Sequence, residues 1–403
     1  MKVNEKLLDQ FYGNLDDRSR ASLDAAVERI VSVKAAGGKI VVATGSGPNI
    51  HEGVTTLIAE LMDKGMVDGV TTSSAVIGHE MGGALDRVKM CSASALGLEG
   101  DSLPRGGAFE FTQLSQGQLD ILRREMILDE DLLERGEKAD GRLVIKAAGN
   151  MAYPMGLRAE NLAGEILVFS KAYGLPFEVV AGWGADRRTM IGMGAEKGLP
   201  VLVSIPQMVG HGHVGMAIGD SISVFERSMR IASMLEAADV IIESAVALTQ
   251  EIHDGPFECY TGHGIWSWWK GLRTFSLEGK TLIRIDLDEN LRKAQDLEKE
   301  SALIQEAINR GLPKTKISKI PFRMEMSAFA RHEGSIPIIG DIGEVWPVMA
   351  WKAAKALGIS LDFMSYAQHT PEGQAMREWI VKEVKPLDRE KLIAKAGEHG
   401  EAP

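Results

Sequence analysis

The sequence predicts an α/β protein: a doubly wound, mostly parallel sheet with a helical excursion. Three observations carry that prediction. Short apolar runs recur along the chain, amphipathic helical segments lie between them, and a glycine-rich turn joins the first run to its helix. Continuous apolar strands that alternate with helices imply a parallel sheet covered on both faces.

The elements follow in order. Residues 17–36 carry apolar positions at helical spacing and stop at Gly37-Gly38, a helix-ending pair. KIVVATG (39–45) is a strand feeding GSGPN, and 50–65 is the helix after it. Further strands are predicted at 67–74, 199–206, 239–248, 281–287 and 335–341, with helices at 223–238 and 290–311. Residues 100–165 read as a helical excursion, and the aromatic-rich 253–279 as a lid or interface loop. The predicted organisation is N-terminal helices at 1–38, a nucleotide-binding core at 39–358, and a helical tail at 359–403 with a charged, poorly ordered end.

Composition narrows the function. The 403 residues hold 45% hydrophobic and 25% charged side chains with a net charge of -11, a globular profile that disfavours nucleic acid or an anionic membrane as partner. Only Cys91 and Cys259 are present, so no disulfide framework is expected and a reducing cytoplasm fits. The N-terminus is polar, and no run of 18 apolar residues occurs. A small-molecule partner is the expectation.

Ligands of open parallel sheets sit at the strand carboxyl ends. There the chain places Gly45, Ser46, Gly47 and Asn49 in the glycine-rich turn, Thr72 and Ser73 after the second strand, and Asp286, Asp288 and Asp341 after two later strands. Glycines let backbone amides approach a diphosphate, and carboxylates accept from ribose hydroxyls. The turn lacks the full GxGxxG spacing, so the weight lies in the combination. His51, His79, His211 and His213 are expected at the same ends, where an imidazole serves as acid or base. His211, His213, His79 and Glu80 offer only a weak metal pattern, and no metal is predicted. Asn150 and Glu243 are placed for a substrate pocket, Glu243 needing a partner inside its apolar strand. Arg158, Arg187 and Arg188 are alternative anion clamps or ordinary helix residues. Tyr260, Trp266, Trp268 and Trp269 suit either a cage over an ammonium or a subunit interface.

RIDLDENLRKA (284–294) with IGDIGEVWPVMA (339–350), and the segment 39–85, resemble the NAD-binding domains grouped around deoxyhypusine synthase. Within that superfamily GPNIHEG, IGHEMGGAL, KGLPVLVSIP and ADVIIESAVAL are most similar, in order, to the archaeal-type NAD-dependent ornithine cyclodeaminases and their LOR/SDH conserved region. The resemblance implies bound NAD, hydride abstraction from a carbon bearing an amine, and a homo-oligomer such as a tetramer. Ser204-Ile205-Pro206-Gln207 stands where that family has an acidic turn, which puts ornithine itself in doubt. GRLVIKAAGNMAYP (141–154) and Ser267-Trp268-Trp269-Lys270 are similar to deoxyhypusine synthase, implying an alternative in which Lys270 carries an aminobutyl group. Against this, Lys270 precedes the strand that the family's lysine follows. A third reading keeps the nucleotide pocket without catalysis.

Overall fold

The computed structural model describes residues 3–45, 47–103, 107–149, 152–208, 212–244, 275, 277, 279–287, 289–312, 317–320 and 334–400. Six parallel strands form the main sheet: β1 (Ile40–Thr44), β2 (Gly69–Thr72), β6 (Val201–Val203), β7 (Val240–Ser244), β8 (Thr281–Asp286) and β9 (Ser335–Ile339). They lie in the order β6-β2-β1-β7-β8-β9. Counting only these strands by sequence, the order is 3-2-1-4-5-6, the dinucleotide-binding arrangement, and strand order reverses between β1 and β7. All six predicted strands are present.

The apolar runs explain why these strands are central. β1, β2, β6 and β7 are buried at every position, as strands covered on both faces require. One face, with Ile40, Val42, Val240 and Ile242, joins the large core beneath the helices Asp17–Ala35, Val54–Asp63 and Ile342–Ala356. The other, with Val41, Ala43, Ile241 and Leu282, packs on Ile231 and Leu235 of helix Val224–Ala237.

The excursion is not purely helical. Between β2 and β6 the chain builds a three-stranded antiparallel sheet, β4-β3-β5, from β3 (Leu85–Ser92), β4 (Ala108–Thr112) and β5 (Gly141–Ala147). Helices Gln116–Glu125 and Glu130–Lys138 connect β4 to β5. Its strands carry charges at alternate positions, Arg87 and Lys89 on β3 for example, so they lack the continuous apolar runs that mark the main sheet.

Two helices are shorter than their periodicity predicts. The one after β1 divides into Gly47–His51 and Val54–Asp63 because Gly53 takes φ +67°, and a side chain there would also press on Met376 Sδ at 2.5 Å. The segment after β8 divides into Glu289–Glu300 and Ala302–Asn309. Up to residue 400 the tail packs on the fold: helix Arg389–Gly400 buries Leu392 and Ala396, and the Tyr173 hydroxyl donates to the Ala396 carbonyl at 2.8 Å. Among the described residues no helix is long and apolar enough to cross a membrane.

A buried ion pair closes the sheet edge. Glu178 and Arg227 are both fully buried and joined, and a Glu178 oxygen accepts the outward amide of Val203 on β6 at 2.7 Å. That amide would otherwise be open to a foreign strand. Arg227 also donates to the Ile218 carbonyl at 3.0 Å. Removing one partner leaves the other charge buried, so Arg227→Met is expected to lose about 3–5 kcal/mol of stability. Adding Glu178→Gln should return part of that loss in urea unfolding.

Candidate functional site

The site grows from the reversal between β1 and β7. There the Ser244 hydroxyl donates to Asn49 Oδ1 at 2.7 Å and accepts from Trp346 Nε1 at 2.8 Å. Asn49 Nδ2 returns to the Ser244 carbonyl at 3.2 Å, and the Gly45 amide reaches the same oxygen at 3.3 Å. The crevice floor is therefore fixed by protein contacts alone. Asn49, expected to touch a cofactor, is fully buried and its side chain is engaged within the protein.

Three buried hydroxyls at the strand ends have no partner among the described residues: Thr44 at the end of β1, Thr72 at the end of β2, and Ser204 just past β6. Buried polar atoms are ordinarily bonded, so an orphan calls for an explanation. A Cβ at Gly47 would meet nothing within 4 Å among the described residues. Ser73 is committed to capping helix Ser74–Gly82, accepting from Val76 at 3.3 Å. The chain thus presents unclaimed hydrogen-bonding groups at the strand ends, a donor set that fits a dinucleotide. The helix after β1 is a single short turn, so it contributes little axial dipole to the crevice.

The predicted acids lie farther along the same edge. Asp286 ends β8, and its carbonyl accepts the Gly340 amide at 2.9 Å, which brings Asp341 alongside. Asp341 Oδ1 caps helix Ile342–Ala356 through the Gly343 amide at 2.7 Å. Glu243 finds the partner that its apolar strand demanded: Arg284, in register on β8, lies 3.9 Å away and also stands 3.6 Å from Asp286.

The small sheet meets this edge at a polar seam. The last residues of β5 reach helix Gly47–His51, and Arg377 from helix Pro371–Glu383 bridges them, its Nη2 donating to the Ile145 carbonyl and to His51 Nδ1 at 3.3 Å. Because guanidinium only donates, Nδ1 must accept and the ring proton sits on Nε2. Burial, then Arg377, then Lys146, pulls the His51 pKa below its ordinary value. His79 is the opposite tautomer: its Nδ1 donates to the Ala148 carbonyl. That contact needs Gly149 at φ +71°, where a Cβ would meet the Gly78 carbonyl at 2.2 Å.

Lys146 pairs with Glu110, which also accepts from the Tyr153 hydroxyl. Burial and this bond push the Tyr153 pKa up. Asp86, the cross-strand neighbour of Lys146, is 3% exposed, and its Oδ2 has no partner. Burial raises its pKa to about 7. Glu80 is likewise raised to about 7 by burial although it accepts the Met190 and Ile191 amides at 2.8 and 3.1 Å.

Several expectations need correction. Arg158 is no clamp for a ligand: it holds Glu125 through two nitrogens and the Leu387 carbonyl. Arg187 binds Asp63 and Glu196, and Arg188 binds Asp186 and the Glu383 carbonyl. His213 opens helix Gly212–Ser221 and faces the Glu160 carbonyl at 3.0 Å. Glu80 serves as a helix cap rather than a metal ligand. Among the described residues no three His, Cys, Asp or Glu side chains converge as metal ligands. Ser46, Asn150, His211, Tyr260, Trp266, Trp268, Trp269, Lys270 and Asp288 lie outside the described residues. Sequence reasoning missed Asp86 and Lys146 on strands of the excursion, Tyr153 at the N-cap of helix Pro154–Tyr173, and Arg377 in the tail.

No family model and no curated protein matches the chain. Among solved structures it resembles ArgZ, an arginine dihydrolase from the ornithine-ammonia cycle in cyanobacteria, at 13% identity and a TM-score of 0.39 over 84% of this chain and 32% of that one. The chain thus spans about a third of that protein's length. A conserved LOR/SDH protein from Methanococcus maripaludis S2 is 10% identical with a TM-score of 0.40, over 88% of this chain and 69% of that one. A protein from Entamoeba histolytica assigned as a deoxyhypusine synthase is 10% identical with a TM-score of 0.41, over 87% and 93%. These include the groups that the sequence motifs resemble. At such scores the likeness carries no functional inference, and the strand order stands on the chain's own pairing.

Asp86 and Glu80 hold their protons in the folded protein up to about pH 7, whereas the unfolded chain releases them near pH 4. The folded state then binds more protons between those limits, so stability falls as pH rises across that window, by at most about 1.4 kcal/mol per group per pH unit. Asp86→Asn removes one share. Its melting temperature should exceed that of the parent at pH 8, with the gap narrowing at pH 5.

Proposed function

We propose that the chain is an NAD-dependent enzyme acting on the C–N bond of a small amine or amino acid. The observation that carries this reading is the 3-2-1-4-5-6 sheet with buried hydroxyls that have no partner among the described residues at the carboxyl ends of β1, β2 and β6. NAD, when bound, supplies a hydride acceptor. Thr44, Thr72 and Ser204 are placed to hold it at the crevice, with the Gly45–Gly47 turn beside them. Asp286 ends β8 and Asp341 caps the helix after β9, positions where a carboxylate accepts from ribose hydroxyls.

The seam supplies the other half of the reading. His51 accepts at Nδ1 from Arg377 and His79 donates from Nδ1 to the Ala148 carbonyl, so the two rings are held as opposite tautomers. His211 and Lys270 remain proposals from sequence for proton transfer and for covalent attachment. Further copies of the chain, up to a tetramer, and a reducing cytoplasm belong to the same reading.

The test is direct. Native mass spectrometry of the purified protein, then denaturation, should release NAD or NADH, or the protein should bind added NAD in calorimetry. A protein that neither carries nor binds NAD overturns the reading. Thr72→Val keeps the side-chain shape and removes a hydroxyl that has no partner in the fold. We expect unchanged or higher thermal stability and about a fivefold to tenfold weaker NAD binding, the worth of one hydrogen bond.

A further inference from the structure

β6 is an edge strand of the main sheet, and its outward side is only partly closed. The Val70 amide donates to the Pro200 carbonyl at 2.9 Å and the Ser204 amide to the Thr72 carbonyl at 2.8 Å, so Pro200, Leu202 and Ser204 turn their backbone groups toward β2. Alternation then turns Val201 and Val203 outward. At Val203 both groups are taken, the amide by Glu178 at 2.7 Å and the carbonyl by Arg227 Nη1 at 3.3 Å. At Val201 neither the outward amide nor the outward carbonyl has a partner among the described residues, although the residue is only 4% exposed. Buried backbone groups are ordinarily paired, so this donor and acceptor on one residue mark a place for another backbone.

Val201 and Glu178 both line a groove of about 650 Å³ along this edge. Its walls extend the two faces of the sheet. Val179, Trp183 and Ile191, from helices Phe177–Gly184 and Met190–Lys197, stand on the side of the core that holds Val201 and Val203. Met229 and Met234, from helix Val224–Ala237, stand on the side of the core that holds Leu202. We propose that the groove docks one extended peptide segment of a partner protein, which pairs with Val201 and sends apolar side chains alternately to the two walls. Successive side chains of a strand point to opposite faces, and an added strand takes its hydrogen bonds from the sheet edge and its specificity from pockets on either side. A second copy is a poor match, because its own β6 lies recessed between the same helices and two recessed edges do not meet. Since Val203 is capped, pairing is limited to Val201, and the apolar walls supply most of the affinity. The groove follows the lateral edge of the sheet rather than its carboxyl ends, so the inference stands apart from the nucleotide reading.

The test uses the full chain, deuterated and 15N-labelled, with two probes: acetyl-Ser-Leu-Val-Leu-Ser-amide and a twin N-methylated at its apolar residues. In the free protein the Val201 amide should exchange with solvent faster than the Leu202 amide. Equal protection of the two would show that the chain fills its own groove, and overturns the proposal. The peptide should shift the Val201 amide and the Trp183 indole together, slow Val201 exchange, and bind about fivefold to tenfold more tightly than its twin, the worth of one hydrogen bond. Equal binding of the twin, or a Trp183 shift that leaves Val201 unmoved, reduces the groove to an apolar surface and overturns the pairing. Silence of both signals at about 2 mM peptide, an affinity below that of a specific contact, overturns it too. Ser233 is exposed on the groove wall. Ser233→Trp should keep the parent's melting temperature and weaken the peptide about tenfold, and unchanged binding overturns the location. The twin is compared in the parent, so the central comparison does not depend on a variant folding.

Discussion

The hydroxyl of Ser244 holds the two halves of the sheet in register at the point where they part. It links Asn49, after β1, to Trp346, in the helix after β9, while the Ser244 carbonyl takes Asn49 Nδ2 and the Gly45 amide. At a reversal of strand order, consecutive connections run in opposite directions and a crevice opens. Polar groups buried under such a crevice must be satisfied without help from a ligand if the fold is to form first. The Ser244 network does this and leaves the hydroxyls of Thr44, Thr72 and Ser204 unclaimed around it.

Buried charge is distributed by the same logic. Glu178 and Arg227 satisfy each other and close an edge, so their worth is architectural. Arg284 neutralises Glu243 from the adjacent strand. Asp86 and Arg377 differ: among the described residues one carries an oxygen with no hydrogen-bond partner, the other a guanidinium with no carboxylate in ion-pair contact and only the longer-range charges of Glu52 and Glu378, and both sit where the small sheet meets the carboxyl edge. A fold that pairs its ions elsewhere and leaves two incomplete at one seam concentrates its unmet electrostatic demand there.

The main sheet was legible because strands buried on both faces need mostly apolar residues, as β1, β6 and β7 show, while β2 with Thr71 and Thr72, β8 with Arg284 and the partly buried β9 carry weaker runs. The small sheet was not, since β3 carries Asp86, Arg87 and Lys89 among Val88 and Cys91, a pattern that partly solvated strands share with amphipathic helices. Thr72, Asp286 and Asp341 were legible from position alone, each closing or following a predicted strand. Arg377 and Lys146 lie 326 and 95 residues from His51 in the chain, and only tertiary packing joins them. Asn49 was read as a cofactor contact, and in the fold its amide bonds the Gly45 and Ser244 carbonyls.

The tautomer of His51 limits the chemistry that the seam can perform. With Arg377 donating to Nδ1 and Lys146 close by, protonating the ring would add a further cation to a half-buried cluster, and its pKa falls accordingly. At neutral pH the ring is an uncharged Nε2 donor, too weak an acid to surrender its proton readily and too well occupied at Nδ1 to act as a base there. Such a group orients and stabilises a negative oxygen rather than shuttling protons. His79, with Nδ1 committed to the Ala148 carbonyl, keeps its basic lone pair on Nε2. The division follows from two neighbours of opposite hydrogen-bonding character, a guanidinium that can only donate and a carbonyl that can only accept.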